Sequence, residues 1–149
     1  MELKGIYSLY CFNQILKSAT NRSTENFTLS YYSKDFKEYY FGYKFKVEAS
    51  QKEDIWLNVG VWFDRENPVI TIEVWKNEGW GKPFYEIIEK GKSHIENYAG
   101  HPYLENSEYY YFEGTEKFYN EFENAIDAEA QEEFFCKFVD EVVNFYVKS

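Results

Sequence analysis

The sequence predicts one α+β domain spanning residues 1–149, an antiparallel β-meander of three to five strands packed against about four helices. Three observations point there. Successive segments between positions 39 and 75 alternate apolar and polar residues with a period of two. A stripe with helical spacing follows them. The chain then ends in a long apolar-periodic segment behind an acidic N-cap. Fifteen Tyr, fourteen Phe and four Trp stand against one Met. That aromatic weight suits strands and contact surfaces better than a plain helical bundle.

In chain order, residues 2–19 predict a helix, with Ile6, Leu9, Tyr10, Asn13 and Leu16 on one side. The polar run Thr20–Asn26 reads as a loop, and Phe27–Tyr31 as a short strand. In Tyr39–Ala49, Tyr39, Phe41, Tyr43, Phe45 and Val47 point one way, opposite Tyr40, Gly42, Lys44, Lys46 and Glu48. Ile55–Phe63 sets Ile55, Leu57, Val59, Val61 and Phe63 against Trp56, Asn58, Gly60 and Trp62. Val69–Trp75 sets Ile70, Ile72 and Val74 against Thr71, Glu73 and Trp75. After an Asn77–Gly81 turn, Pro83 suits a first helical position and Gly100 the position past the end. Phe84, Ile87, Ile88, Gly91, Ile95 and Tyr98 form the stripe between them, and Gly91 within it would allow close approach to the sheet. Tyr109–Glu113 predicts a further strand and Glu116–Ala125 a helix. Asp127 then caps a last helix, with Glu129 in its first turn.

No segment resembles a signal peptide or reaches membrane-spanning length, so a cytoplasmic protein is expected. In that setting Cys11 and Cys136, far apart in the chain, read as small buried hydrophobes.

Charge is unevenly placed. Residues 1–76 hold ten acids and ten bases, whereas residues 77–149 hold sixteen acids and six bases and so carry the whole net charge of −10. Within Glu105–Glu141 twelve acids face only Lys117 and Lys137. A one-signed block on a balanced body bears on partners rather than on fold.

Several chemistries find no support. Two Cys and two His, all scattered, make no zinc set, and His94 and His101 read as surface or capping residues. Gly79-Trp-Gly81 lacks the spacing of a phosphate-binding loop. Nucleases of the PD-(D/E)XK class need an acid and a Lys two residues apart on one strand face. Here Glu73 and Lys76 are three apart, and Trp75 stands where the Lys should be. A polyanion would meet a net negative protein in which only Arg22 and Arg65 supply guanidinium groups. No catalytic residue, cofactor or metal ligand is therefore assigned.

Two functional expectations remain. The first is a non-enzymatic acidic binding module, an immunity or inhibitor protein that neutralises a basic, nucleic-acid-acting protein partner such as a toxin nuclease. Its contact surface would comprise Glu105, Glu108, Glu113, Glu116, Glu121, Glu123, Glu129, Glu132 and Glu133, with Tyr109, Tyr111, Tyr119 and Phe122 as anchors. The alternative is a ligand-binding domain or enzyme that stacks sugars or bases on the aromatic sheet face of Tyr40, Trp56, Trp62, Glu73 and Trp75. On that face Gly42 and Gly60 would leave shallow space between the rings. A helix laid over the face, the first one for instance, would bury the indoles and remove this option.

Overall fold

The computed structural model describes residues 3–64, 66–77 and 79–149, with only the backbone of residues 3–9. The architecture is α+β. Four helices, α1 (Leu3–Ala19), α2 (Lys82–Glu89), α3 (Glu116–Glu123) and α4 (Ala128–Val147), accompany seven strands. These are β1 (Arg22–Ser23), β2 (Thr28–Lys37), β3 (Tyr40–Glu48), β4 (Ile55–Trp62), β5 (Val69–Trp75), β6 (Tyr103–Leu104) and β7 (Tyr109–Glu113). All pairings are antiparallel, in the order β1-β2-β3-β4-β5-β7-β6.

Seven strands exceed the three to five expected. The two-residue β1 and β6 are too short to show a period in sequence, and they exist because each finds a longer neighbour to pair with. The β2 strand runs to Lys37 rather than stopping at Tyr31. A bulge between Tyr31 and Ser33 resets its register against β3 and hides the alternation beyond it.

One side of the sheet makes the core. Tyr43, Phe45, Val47, Ile55, Leu57, Val59, Ile72, Val74 and Phe112 are buried there. Against them pack Leu16 of α1, Phe84 of α2, Phe118 of α3, and Phe135, Phe138, Val142 and Tyr146 of α4. Ring pairs tie the layers, Phe84 to Phe112 at 5.6 Å and Phe118 to Phe138 at 4.9 Å between centroids. Such contacts add roughly 0.5–1.5 kcal/mol each beyond area burial. Two caps start helices. Thr115 Oγ1 accepts from the Phe118 N–H at 3.2 Å, and Asp127 Oδ1 from the Ala130 N–H at 2.8 Å.

Three expectations give way here. The helix after Pro83 stops at Glu89 instead of reaching Gly100, because Gly91 adopts φ 72°, the left-handed value that ends helices. Ile95, placed on the expected stripe, is consequently 85% exposed, and a Cβ on Gly91 would meet nothing within 4 Å, so this glycine serves no close approach to the sheet. His94 is buried rather than superficial, its Nε2 lying 2.8 Å from the Ala99 carbonyl oxygen, while His101 stays exposed.

In α1, Leu16 is buried, Asn13 accepts a hydrogen bond from the Tyr43 hydroxyl, and Tyr10 points to solvent. The expected positions Ile6 and Leu9 lie outside the described side chains. Both cysteines are unpaired and half-buried, and burial pushes the Cys136 thiol up. No described helix is long and apolar enough to cross a membrane.

Candidate functional site

Helix α1 packs on α4 and touches β3 from the core side, so it does not lie over the Trp-bearing face. The covering-helix expectation fails: all four helices use the apolar side of the sheet, the side that alternation made sticky. Among the described residues, what covers part of the other face is the turn leading into α2. The Trp56 N–H donates to the Trp80 carbonyl at 3.1 Å, pinning that turn across the start of β4. A Cβ on Gly81 would lie 2.4 Å from the Trp75 carbonyl oxygen, so only glycine lets the turn press this close to β5.

The result is a cleft of about 260 Å³ lined by Ser33, Asp35, Lys37, Lys44, Trp56, Asn58, Glu73, Trp75, Trp80 and Tyr109, with Lys34 beside them in β2. Trp75 meets Trp80 edge-on at 5.0 Å and stacks on Tyr109 at 5.9 Å with planes 12° apart. Strand register sets the polar floor. Ser33, Lys44, Asn58, Glu73 and Tyr111 succeed one another across β2, β3, β4, β5 and β7.

Glu73, only 3% exposed, accepts from Trp62 Nε1–H at 3.1 Å. Burial pushes its carboxyl up to about 7; Asp35 adds to the rise, and Lys37, Trp62 and Asn58 oppose it. Asn58 Nδ2–H donates to Asp35 Oδ2 at 3.2 Å. The hydroxyls of Tyr40, Tyr109 and Tyr111 are all raised, first by burial and next by the Glu73 charge.

Several polar atoms on this face are buried without a hydrogen-bond partner: the Tyr40 hydroxyl, Asn58 Oδ1, Thr71 Oγ1 and Trp75 Nε1–H. Gly42 and Gly60 leave no room between the rings, contrary to expectation. The Tyr40 ring lies on both, and a Cβ would come within 2.4 Å of it at Gly42 and 2.7 Å at Gly60. Tyr40 is thereby buried against Trp62, with centroids 4.7 Å apart.

Of the aromatic-face residues expected from sequence, Trp56, Glu73 and Trp75 line the cleft, while Tyr40 and Trp62 flank it. Asp35, Lys37 and Trp80 were missed. The first two lie in the stretch of β2 beyond the bulge, and Trp80 lies in a turn whose Gly-Trp-Gly pattern is the one signal that could have drawn attention.

The acidic residues distribute differently. Glu105 and Glu108 sit exposed between β6 and β7, Glu116 and Glu123 exposed on α3, and Glu129 and Glu133 exposed on α4. Glu113, Glu121 and Glu132 are half-buried. Tyr103 donates to Glu113 at 3.1 Å and Tyr98 to Glu121 at 2.7 Å. The expected anchor residues divide, with Tyr119 and Phe122 on α3 among the acids and the other two away from them. Tyr109 and Tyr111 belong to the Trp-bearing face, Tyr119 accepts from the Ile70 N–H at 2.9 Å, and Phe122 packs on Phe118 and Phe135.

Among the described residues no three His, Cys, Asp or Glu side chains are grouped to hold a metal ion. Lys76, the base tested for nuclease chemistry, lies over the Tyr85 ring of α2 at 5.7 Å, away from Glu73. Comparisons of the chain with protein-family models, with curated proteins and with solved structures found no match.

Proposed function

We propose that the helix-free sheet face is a small-ligand site, taking one sugar or base ring stacked against the indoles of Trp56, Trp75 and Trp80. The supporting observation is the coincidence of these indoles with four buried, unpartnered polar atoms on one face. Each such atom costs about 1–3 kcal/mol when left unsatisfied. The same chain leaves none of the β-strand side chains on the core side in that condition. A face with only a structural role would carry apolar residues there.

The cleft volume of about 260 Å³ lies just below the range of roughly 300–1,000 Å³ usual for ligand sites, which suits a single ring. Mixed charge in the lining, Asp35 beside Lys37 and Lys44, favours a small solute over a polymer. Titration of tryptophan emission with monosaccharides and nucleosides tests the reading. A saturable change that Trp75→Ala abolishes is expected. Emission unmoved by every member of both panels would sink it.

The acidic surface supports a second reading, an immunity- or inhibitor-type module for a basic, nucleic-acid-acting partner. Glu116, Glu123, Glu129 and Glu133 are exposed on α3 and α4 in a stretch with only two bases. Electrostatic steering by such a surface accelerates encounter. Reversing those four charges should slow association at low salt by about tenfold or more while leaving the fold intact. Unchanged association would remove this reading without touching the first.

A further inference from the structure

We infer that the ligand of this cleft carries a negative group on its ring, a carboxylate or a phosphate, and that Lys44 is the residue that pairs with it. The inference rests on the ring-stacking reading above. Lys44 is 9% exposed and lines the cleft. Lysine is almost never buried this far unless paired, because removing an ammonium from water without a counter-ion is expensive.

Yet none of the described carboxylates comes within 4.0 Å of the Lys44 ammonium. It lies over the Trp80 ring, with the Tyr32 ring 5.3 Å away. Ring faces return only about 0.5–2 kcal/mol to a cation. Asp35 acts on Lys44 through space, but its carboxylate is engaged by Lys37 at 3.9 Å and by Asn58 at 3.2 Å.

The neighbouring lysine on the same face of β3 shows the ordinary solution. Lys46 pairs with Glu48 at 3.4 Å and with Asp54 at 3.3 Å. Two residues apart on one strand, one cation is fully served and the other is held against indole inside a cleft. Desolvation lowers the Lys44 pKa, the direction an incoming anion would reverse.

The floor tolerates an anion as well. Glu73, two strands away in the same row, is held toward its neutral form by burial and so adds little repulsion below neutral pH. The Lys37 cation lines the cleft as well. The net charge of −10 opposes a polyanion at every phosphate, whereas one small anionic ring meets only this local set.

Matched pairs of probes decide the matter: glucose against glucuronate, and uridine against uridine 5′-monophosphate. Each is titrated by tryptophan emission at about pH 6 and at about 0.05 and 0.5 M salt. The charged member of at least one pair should bind about tenfold tighter or better than its neutral partner, and the added salt should erode that preference. Whichever charged probe responds identifies the anion's source as a sugar acid or a nucleotide.

Lys44→Met should bring the preference close to one, read as the ratio of charged to neutral binding within each pair. The wild-type comparison needs no variant, so it decides the question even where Lys44→Met fails to fold. Equal binding within both pairs overturns the anion inference and leaves ring stacking standing. Silence from all four probes overturns both.

Discussion

On β4, Ile55, Leu57, Val59 and Val61 point toward the helices and are buried, while Trp56, Asn58 and Trp62 of the same strand point the other way and remain half-buried. The pleat of a single strand thus feeds two environments. The helix side is aliphatic and phenyl, dry and closed by four helices. The other side carries indoles, phenols, a carboxyl of raised pKa, a lysine with no carboxylate partner among the described residues, and hydrogen-bonding atoms without partners. On the first side no strand side chain is left without a hydrogen-bond partner, and Asn144 Oδ1 of α4 is the one helix atom so left among the described residues. The second is sterically full around Tyr40 yet electrostatically unfinished, and that mismatch is what marks a site rather than a second core.

Several substitutions break or sharpen the contrast. The largest effect should come from truncating neighbours on opposite sides. Phe45→Ala, on the closed side, should cost about 3–5 kcal/mol in a urea titration. Trp56→Ala, on the open side, should cost clearly less and act mainly on ring binding. Equal stability losses would erase the distinction between the two sides.

Glu73 comes next. Its carboxyl lies at about 7 in the folded state against an ordinary 4.5, so folding favours the protonated acid. The stability that this preference contributes is fully present below about pH 4.5 and is lost as pH rises through about 7. Glu73→Gln keeps an acceptor for Trp62 without the charge. It should be more stable than the wild type by about 3 kcal/mol at around pH 8, with the difference closing toward about pH 4. A pH-independent difference would mean that Glu73 is not held neutral.

Capping is smaller and remote from the cleft. Asp127→Ala should lose about 1 kcal/mol on thermal or chemical unfolding, with ring binding unaffected. Smallest is Tyr40→Phe, which removes a buried hydroxyl that has no partner and keeps the ring on Gly42 and Gly60. Stability should hold or rise by up to about 1 kcal/mol. A loss larger than that would show that the hydroxyl is satisfied in solution, for instance by a trapped water, and would weaken the picture of an unfinished face.

Legibility in the sequence followed the strength of each local signal. The three alternating segments became β3, β4 and β5 because each combines β-branched or aromatic residues with a strict period. Asp127 and Glu129 announced α4 because capping is a local event. Trp56, Glu73 and Trp75 were readable as one face for the same reason. Residues 92–98 were misread because an apolar spacing continued past Gly91, whose left-handed φ outweighs any stripe. Asp35 and Lys37 were invisible because beyond the bulge β2 carries polar or charged residues on both sides, so no period remains to be seen.

From the sequence alone came the class of fold, the two faces of the meander, and the charge asymmetry between its halves, all properties of periodicity and composition. Tertiary structure decided which face the helices would cover, and that a turn bearing Trp80 would close over part of the other. It also decided that Lys44 would lie against indole while Lys46 found two carboxylates. These outcomes depend on distances between residues far apart in the chain, and they make Lys44 a buried cation and raise the proton affinity of Glu73.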